Sequence, residues 1–156
     1  MKVINRKRVL FSALLLFFLA LVVFLLVLHK EQFASFSCRA SGKVYINGYK
    51  LSYVSRYQFT QGAGLITLSG KVFKEGRYLG ILGRQIKVSY INNGGLYTLT
   101  NKSSLSQMEN SVSPEDYRLL IPPVYYEEGR VQNITVTPVG KGYRLEYNAF
   151  PFAMCY

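Results

Sequence analysis

The chain predicts a single N-terminal transmembrane helix followed by an all-β antiparallel meander, barrel-like or sandwich, of about seven or eight strands with one short helix. Three observations predict it. Val9 to Leu28 is an unbroken uncharged run behind a basic head. Beyond that run the apolar residues alternate with polar ones at period two. Asn-Gly, Glu-Gly and Gly-rich dipeptides separate the alternating segments, and these are the turn chemistries that join antiparallel strands.

The head, residues 1–8, carries Lys2, Arg6, Lys7 and Arg8. The span, 9–28, rises about 30 Å as a helix, enough for a bilayer's hydrocarbon core. Positive charge just before a span holds that end in the cytoplasm. The expected localisation is therefore a bacterial inner membrane, single-pass, with a cytoplasmic N-terminus and a periplasmic C-terminal domain. A cleaved signal peptide has a shorter apolar core and a small-x-small cleavage site. Here His29, Lys30, Glu31 and Gln32 follow the run without one, which favours an uncleaved anchor. Residues 29–36 read as a juxtamembrane linker and 37–156 as one periplasmic β domain, large enough for a single core.

In the domain, Val44-Tyr45-Ile46 meets the Asn47-Gly48 turn. Tyr49, Leu51, Tyr53, Tyr57 and Phe59 then share one face. Ile66, Leu68 and Val72 alternate with Thr67, Ser69 and Lys71, and Ile86, Val88 and Tyr90 with Gln85, Lys87 and Ser89. Ile134 and Val136 form another such face, as do Tyr143, Leu145 and Tyr147. Period two places each set on one side of a pleated strand. Reversals are expected at Gly62-Ala63-Gly64, Glu75-Gly76, Asn92 to Gly95, Glu128-Gly129 and Gly140 to Gly142. Gly80 and Gly83 inside an apolar run predict a bulge or bend. Lys102 to Leu119 breaks the pattern, and Ser113-Pro114-Glu115-Asp116 starts a short helix over about 114–119. Pro122-Pro123 makes the following Val124-Tyr125-Tyr126 an edge strand, or one that begins after a kink.

Net charge is +11, but four of the nineteen Lys and Arg residues belong to the head. The other cations are scattered singly, which does not make a nucleic-acid footprint. Cys38 and Cys155 bracket the domain. An even pair in an oxidising compartment reads as a disulfide, against the alternative of two buried thiols. The one histidine, His29, sits at the span boundary, so no Ser-His-acid, Cys-His or tetrahedral metal set can be assembled in the domain. Adjacent acids such as Glu127-Glu128 point to opposite faces on a strand and form no hydrolase dyad. The expectation is a non-enzyme with no cofactor and no metal. All thirteen tyrosines lie beyond the span, and tyrosine offers a large apolar face with one polar tip. Tyr125, Tyr126 and Tyr156 are the candidates for an interaction or ligand surface.

The layout resembles the FidL-like small inner-membrane proteins of enteric bacteria. The likeness rests on the basic-head anchor, Phe36-Ser37-Cys38, the tyrosine-rich strands and the closing Phe150-Pro151-Phe152-Ala153-Met154-Cys155. That resemblance implies an accessory partner of a membrane-anchored winged-helix transcription regulator, in the manner of ToxS beside ToxR. With eight residues before the span, any effect on transcription would pass through that partner. The alternatives are a lipocalin-like sensor for a small amphipathic ligand and an envelope structural or assembly factor.

Overall fold

The computed structural model describes residues 3–31 and 35–156, with side chains for 9–26 and for 35–156 apart from Phe150. Lys2 of the basic head and residues 32–34 of the expected linker lie outside the described residues, as do the side chains of Arg6, Lys7, Arg8 and His29. Helix α1, Val3–Glu31, runs past both ends of the expected span. Its Val9–Leu26 stretch is long and apolar enough to cross a membrane and buries none of its surface.

Eight strands follow: β1 (Phe36–Ile46), β2 (Tyr49–Thr60), β3 (Ala63–Lys74), β4 (Arg77–Asn93), β5 (Leu96–Ser106), β6 (Val131–Val139), β7 (Gly142–Tyr147) and β8 (Phe150–Cys155). Each pairs antiparallel with the next and β8 returns to β1, closing a barrel. Closure removes most of the free edge that a sandwich would leave. Two-residue turns set the registers. Asn47-Gly48, Gln61-Gly62 and Glu75-Gly76 all have positive φ at both positions, the geometry whose twist matches the strands it joins. The β2–β3 turn therefore falls one residue before the expected Gly62-Ala63-Gly64, since Ala63 and Gly64 already belong to β3.

Alternation decides what faces inward. Tyr49, Leu51, Tyr57, Phe59, Ile66, Leu68, Val72, Ile86, Val88, Tyr90, Ile134, Val136 and Leu145 are all buried. Tyr147, expected among them, keeps the inward register but stands 44% exposed at the barrel's side opening. On β4 the register slips so that Val72 faces Gly80 and Phe73 faces Tyr78, leaving Leu79 as the bulged residue beside Gly80.

Two sequence expectations need correction. Lys102 to Ser106 do not leave the sheet; they continue β5 against Arg84 to Lys87. Val124-Tyr125-Tyr126 forms no strand. Residues Pro123–Tyr125 make a 3₁₀ turn, because the two prolines fix φ near the helical value and supply no donor for a ladder. Helix α2, Pro114–Arg118, ends one residue short of the expected boundary. Ser113 caps it, its Oγ accepting from the Asp116 backbone N–H at 3.2 Å.

The two barrel ends are stoppered differently. At the near end, where β1 begins, Phe36, Phe59, Tyr90, Tyr97 and Tyr143 pack ring against ring, with Phe36 stacked on Phe59 at 4.8 Å. At the far end lies the β5–β6 connection with α2 and the 3₁₀ turn. Tyr49 at the start of β2 donates its hydroxyl to Asp116 Oδ1 at 2.6 Å, which, with help from Ser113, holds that carboxyl below the usual range. Arg84, 6% exposed, stacks its guanidinium on the Tyr117 ring at 4.3 Å.

Candidate functional site: a side-opening cavity in the barrel

Between the two stoppers a pocket of about 470 Å³ opens into the barrel from one side. Its walls are Leu51, Ile66, Leu68, Leu99 and Ile134, and the connection contributes Leu120, Ile121, Val124 and Tyr125. A larger depression of about 700 Å³ lies beside Lys43 and Lys71. It is an open trough on the outer face of β1–β4, with Glu109 at its margin. The side-opening pocket is the more recessed and the more apolar of the two, as sites that bind small molecules are.

The connection is fixed to the wall by polar residues of β5. Asn101 Nδ2 donates to the Val124 carbonyl at 2.9 Å, and Ser104 Oγ donates to the Tyr125 carbonyl at 2.7 Å. These bonds satisfy carbonyls for which the 3₁₀ turn itself supplies no backbone donor. They also aim the Tyr125 ring inward, where its hydroxyl lies 3.1 Å from that of Tyr57. Burial pushes the Tyr57 phenol up and Tyr125 well above the ordinary tyrosine value, so both remain neutral hydroxyls. Beside them Ser55, 1% exposed, lines the cavity and lacks a hydrogen-bond partner for its Oγ. It lies near Tyr57 without meeting that hydroxyl at bonding geometry.

The way in is the seam between β1 and β8. Ala40 opposite Cys155 is the single strand pair there. Arg39 and Tyr156 exchange backbone hydrogen bonds at 2.7 and 2.9 Å, and the Cys38–Cys155 disulfide, Cα–Cα 5.4 Å, clamps the same point. Past Ala40, from Ser41 to Ile46, β1 makes no ladder with β8. The cause is local to β8. The register shifts so that Glu146 faces Pro151 and Leu145 faces Ala153, leaving Phe152 bulged. Proline brings no donor and a bulge bends its strand, so β8 swings away from β1. Lys43, Val44, Tyr147, Pro151 and Phe152 rim the opening, and Lys43 is the one charged residue of the lining. Tyr53 bridges it, its hydroxyl donating to the Phe152 carbonyl at 3.3 Å. Gly42 permits this reach, since a Cβ there would sit 2.8 Å from Tyr53 Oη.

The expected disulfide is therefore present. The three candidate tyrosines are not brought together. Tyr125 belongs to the cavity, not to the surface; Tyr126 is half-buried against Tyr117, ring centroids 5.7 Å apart; Tyr156 is exposed on the clamp. Sequence reasoning passed over Ser55, although a serine stands between Tyr53 and Tyr57 on an otherwise apolar inward row. Among the described residues no group of three or more His, Cys, Asp or Glu is placed to hold a metal ion. No protein-family model and no curated protein matches this chain.

Proposed function

We propose that this chain is a membrane-tethered, non-enzymatic binding protein whose barrel takes up one small amphipathic molecule through the β1–β8 seam. The observation that carries this reading is the cavity of about 470 Å³ behind a seam held at one end only. At about 30 Å³ per non-hydrogen atom, this volume suits a ligand of roughly 15 such atoms. At about 0.3 kcal/mol per atom this gives about 4.5 kcal/mol, a Kd on the order of 0.5 mM. The test is photolabelling of the full chain in lipid nanodiscs with a ten-carbon alkyl diazirine. Saturable labelling of the β2, β3 and β5 wall peptides is expected, lost in Leu99→Trp while circular dichroism stays unchanged. Labelling confined to α1, or wall labelling that never saturates, refutes the reading.

A second reading is favoured by the free edge of β1 from Ser41 to Ile46. In it, the protein is the accessory partner of a membrane-anchored winged-helix regulator, stabilising or tuning it. An unpaired edge can accept a partner's strand through main-chain hydrogen bonds, and a partner that binds only the folded regulator stabilises it by mass action. The two readings join if the ligand prefers one state of the complex. Crosslinking in intact cells tests the partnership, and recovery of no such regulator counts against it. The proposed location is the inner membrane with the barrel in the periplasm, which periplasm-dependent and cytoplasm-dependent reporters fused after Tyr156 distinguish.

A further inference from the structure

We infer that the cavity selects a lipophile bearing one neutral oxygen, a hydroxyl or a carbonyl, seated inside against Ser55 and the Tyr57–Tyr125 pair, with any ionised group left at the seam beside Lys43. This rests on the binding reading above and specifies its ligand.

The argument starts from hydrogen-bond accounting. A buried polar atom without a partner is costly, and native structures retain few of them. Ser55 Oγ is such an atom, in the middle of β2 on a residue that helps line the cavity. Its register partner is Ala40, the last residue of β1 that β8 still covers, so Ser55 sits on the closed side of the opening. Nearby, Tyr57 and Tyr125 share one hydrogen bond between two hydroxyls. Whichever donates, the accepting hydroxyl keeps its own proton available. The interior therefore offers a serine hydroxyl that both donates and accepts, and one further tyrosine O–H.

Charge sets the complementary limit. Tyr57 and Tyr125 are held neutral by burial, and the walls around them are aliphatic. A carboxylate driven to this depth would lose its hydration with no cation to meet it, and that cost far exceeds the gain from two neutral donors. Lys43, the single charge of the lining, stands at the rim. A neutral oxygen can go in; an ionised group is retained at the mouth. A purely hydrocarbon ligand fills the volume but leaves Ser55 unpaired.

The experiment uses the full chain in nanodiscs and the alkyl diazirine as reporter, displaced by decan-1-ol or by 1-chlorodecane, which has similar size but lacks the donor. Comparing proteins rather than ligands cancels partition into the lipid. Ser55→Ala and Tyr57→Phe are each expected to weaken displacement by decan-1-ol roughly tenfold and to leave 1-chlorodecane unchanged. Decanoate should compete more weakly in Lys43→Gln than in the native chain, with decan-1-ol unaffected. Thermal unfolding keeps the variants interpretable: Ser55→Ala deletes an unpartnered hydroxyl, so its Tm should be equal or higher. Equal loss of both competitors, or loss of neither, overturns the inference while leaving the cavity reading intact. Absence of saturable wall labelling in the native chain overturns both.

Discussion

Removing the disulfide is the sharpest test of how this barrel is closed. Cys38 and Cys155 are 117 residues apart. In the chain-entropy treatment a crosslink over that many residues stabilises by about 4.9 kcal/mol at 25 °C, by restricting the unfolded chain. The native side offers little to offset its loss. Without the bond, the seam keeps one β1–β8 strand pair, the two Arg39–Tyr156 backbone bonds and the contact from Tyr53 of β2 to Phe152. A domain of about 120 residues has an unfolding entropy near 0.25 kcal/mol/K, so about 5 kcal/mol becomes a fall in Tm of roughly 20 °C. The variant is the double Cys38→Ala/Cys155→Ala, which leaves no free thiol. It is read by urea denaturation followed through tyrosine fluorescence and far-UV circular dichroism together. Unchanged m with a lower midpoint means that the closed barrel survives but is less stable. A lowered m, or transitions that no longer coincide, means that the seam has opened before global unfolding. A loss below about 1 kcal/mol with m unchanged would refute the reasoning, because the seam would then be held by contacts other than those described.

Other expectations follow from the stoppers and the mouth. Burial, with Tyr90 and Tyr143 beside it, pushes the Tyr97 phenol up to about 12, whereas an unfolded tyrosine titrates near 10. Between those values the native state holds the extra proton, so stability is intact below pH 10 and falls as pH rises towards 12; a denaturation midpoint that stays flat across that window contradicts the buried near-end cluster. Gly42→Ala should push the Tyr53 ring out of its bridge at a cost under about 1 kcal/mol, since the obstructing atoms belong to a movable side-chain end. Its signature is a change in the rate of ligand exchange at nearly constant Tm. Tyr117→Leu removes the ring under the buried Arg84 guanidinium and should cost about 2 kcal/mol, with faster hydrogen exchange in 107–125 than in the strands; uniform exchange would show that the connection is no separate lid. Full-length protein should resist carbonate extraction from membranes, and release of intact chain would contradict a spanning α1.

Much of the fold was legible because period-two patterning and turn chemistry are both local. Asn47-Gly48 and Glu75-Gly76 name their own turns, and the inward rows of β2, β3 and β4 follow from alternation. The Asn148-Ala149 turn, with φ of 49° and 64°, carries no glycine and is absent from the expected reversals; its one local signal is asparagine's tolerance of the left-handed region. Closure was less accessible. Whether eight strands make a barrel or a sandwich depends on β8 meeting β1, and that contact comes down to one ladder pair, two backbone bonds and a disulfide. The site was least accessible of all. A cavity is volume left unfilled, set jointly by the tilt of the strands and the path of 107–130, and neither is written in a local pattern. Pro122-Pro123 was read correctly as unfit for a central strand. Of the two side chains that hold the resulting 3₁₀ turn in place, Ser104 lies inside the pattern-breaking stretch and Asn101 just before it. Ser55 was visible as a lapse in an apolar row, yet its meaning needed the pocket that it helps to line.

The staple joining first strand to last also orders the events of biogenesis. Cys155 comes 117 residues after Cys38, so the bond that locks the cylinder shut cannot form until β8 has been synthesised. At synthesis rates of about 5–20 residues per second, β1 waits on the order of ten seconds for its permanent neighbour. Throughout that interval its outer edge can pair with any passing strand, and a chain without β8 would keep the Arg39–Ala40 part of that edge open as well.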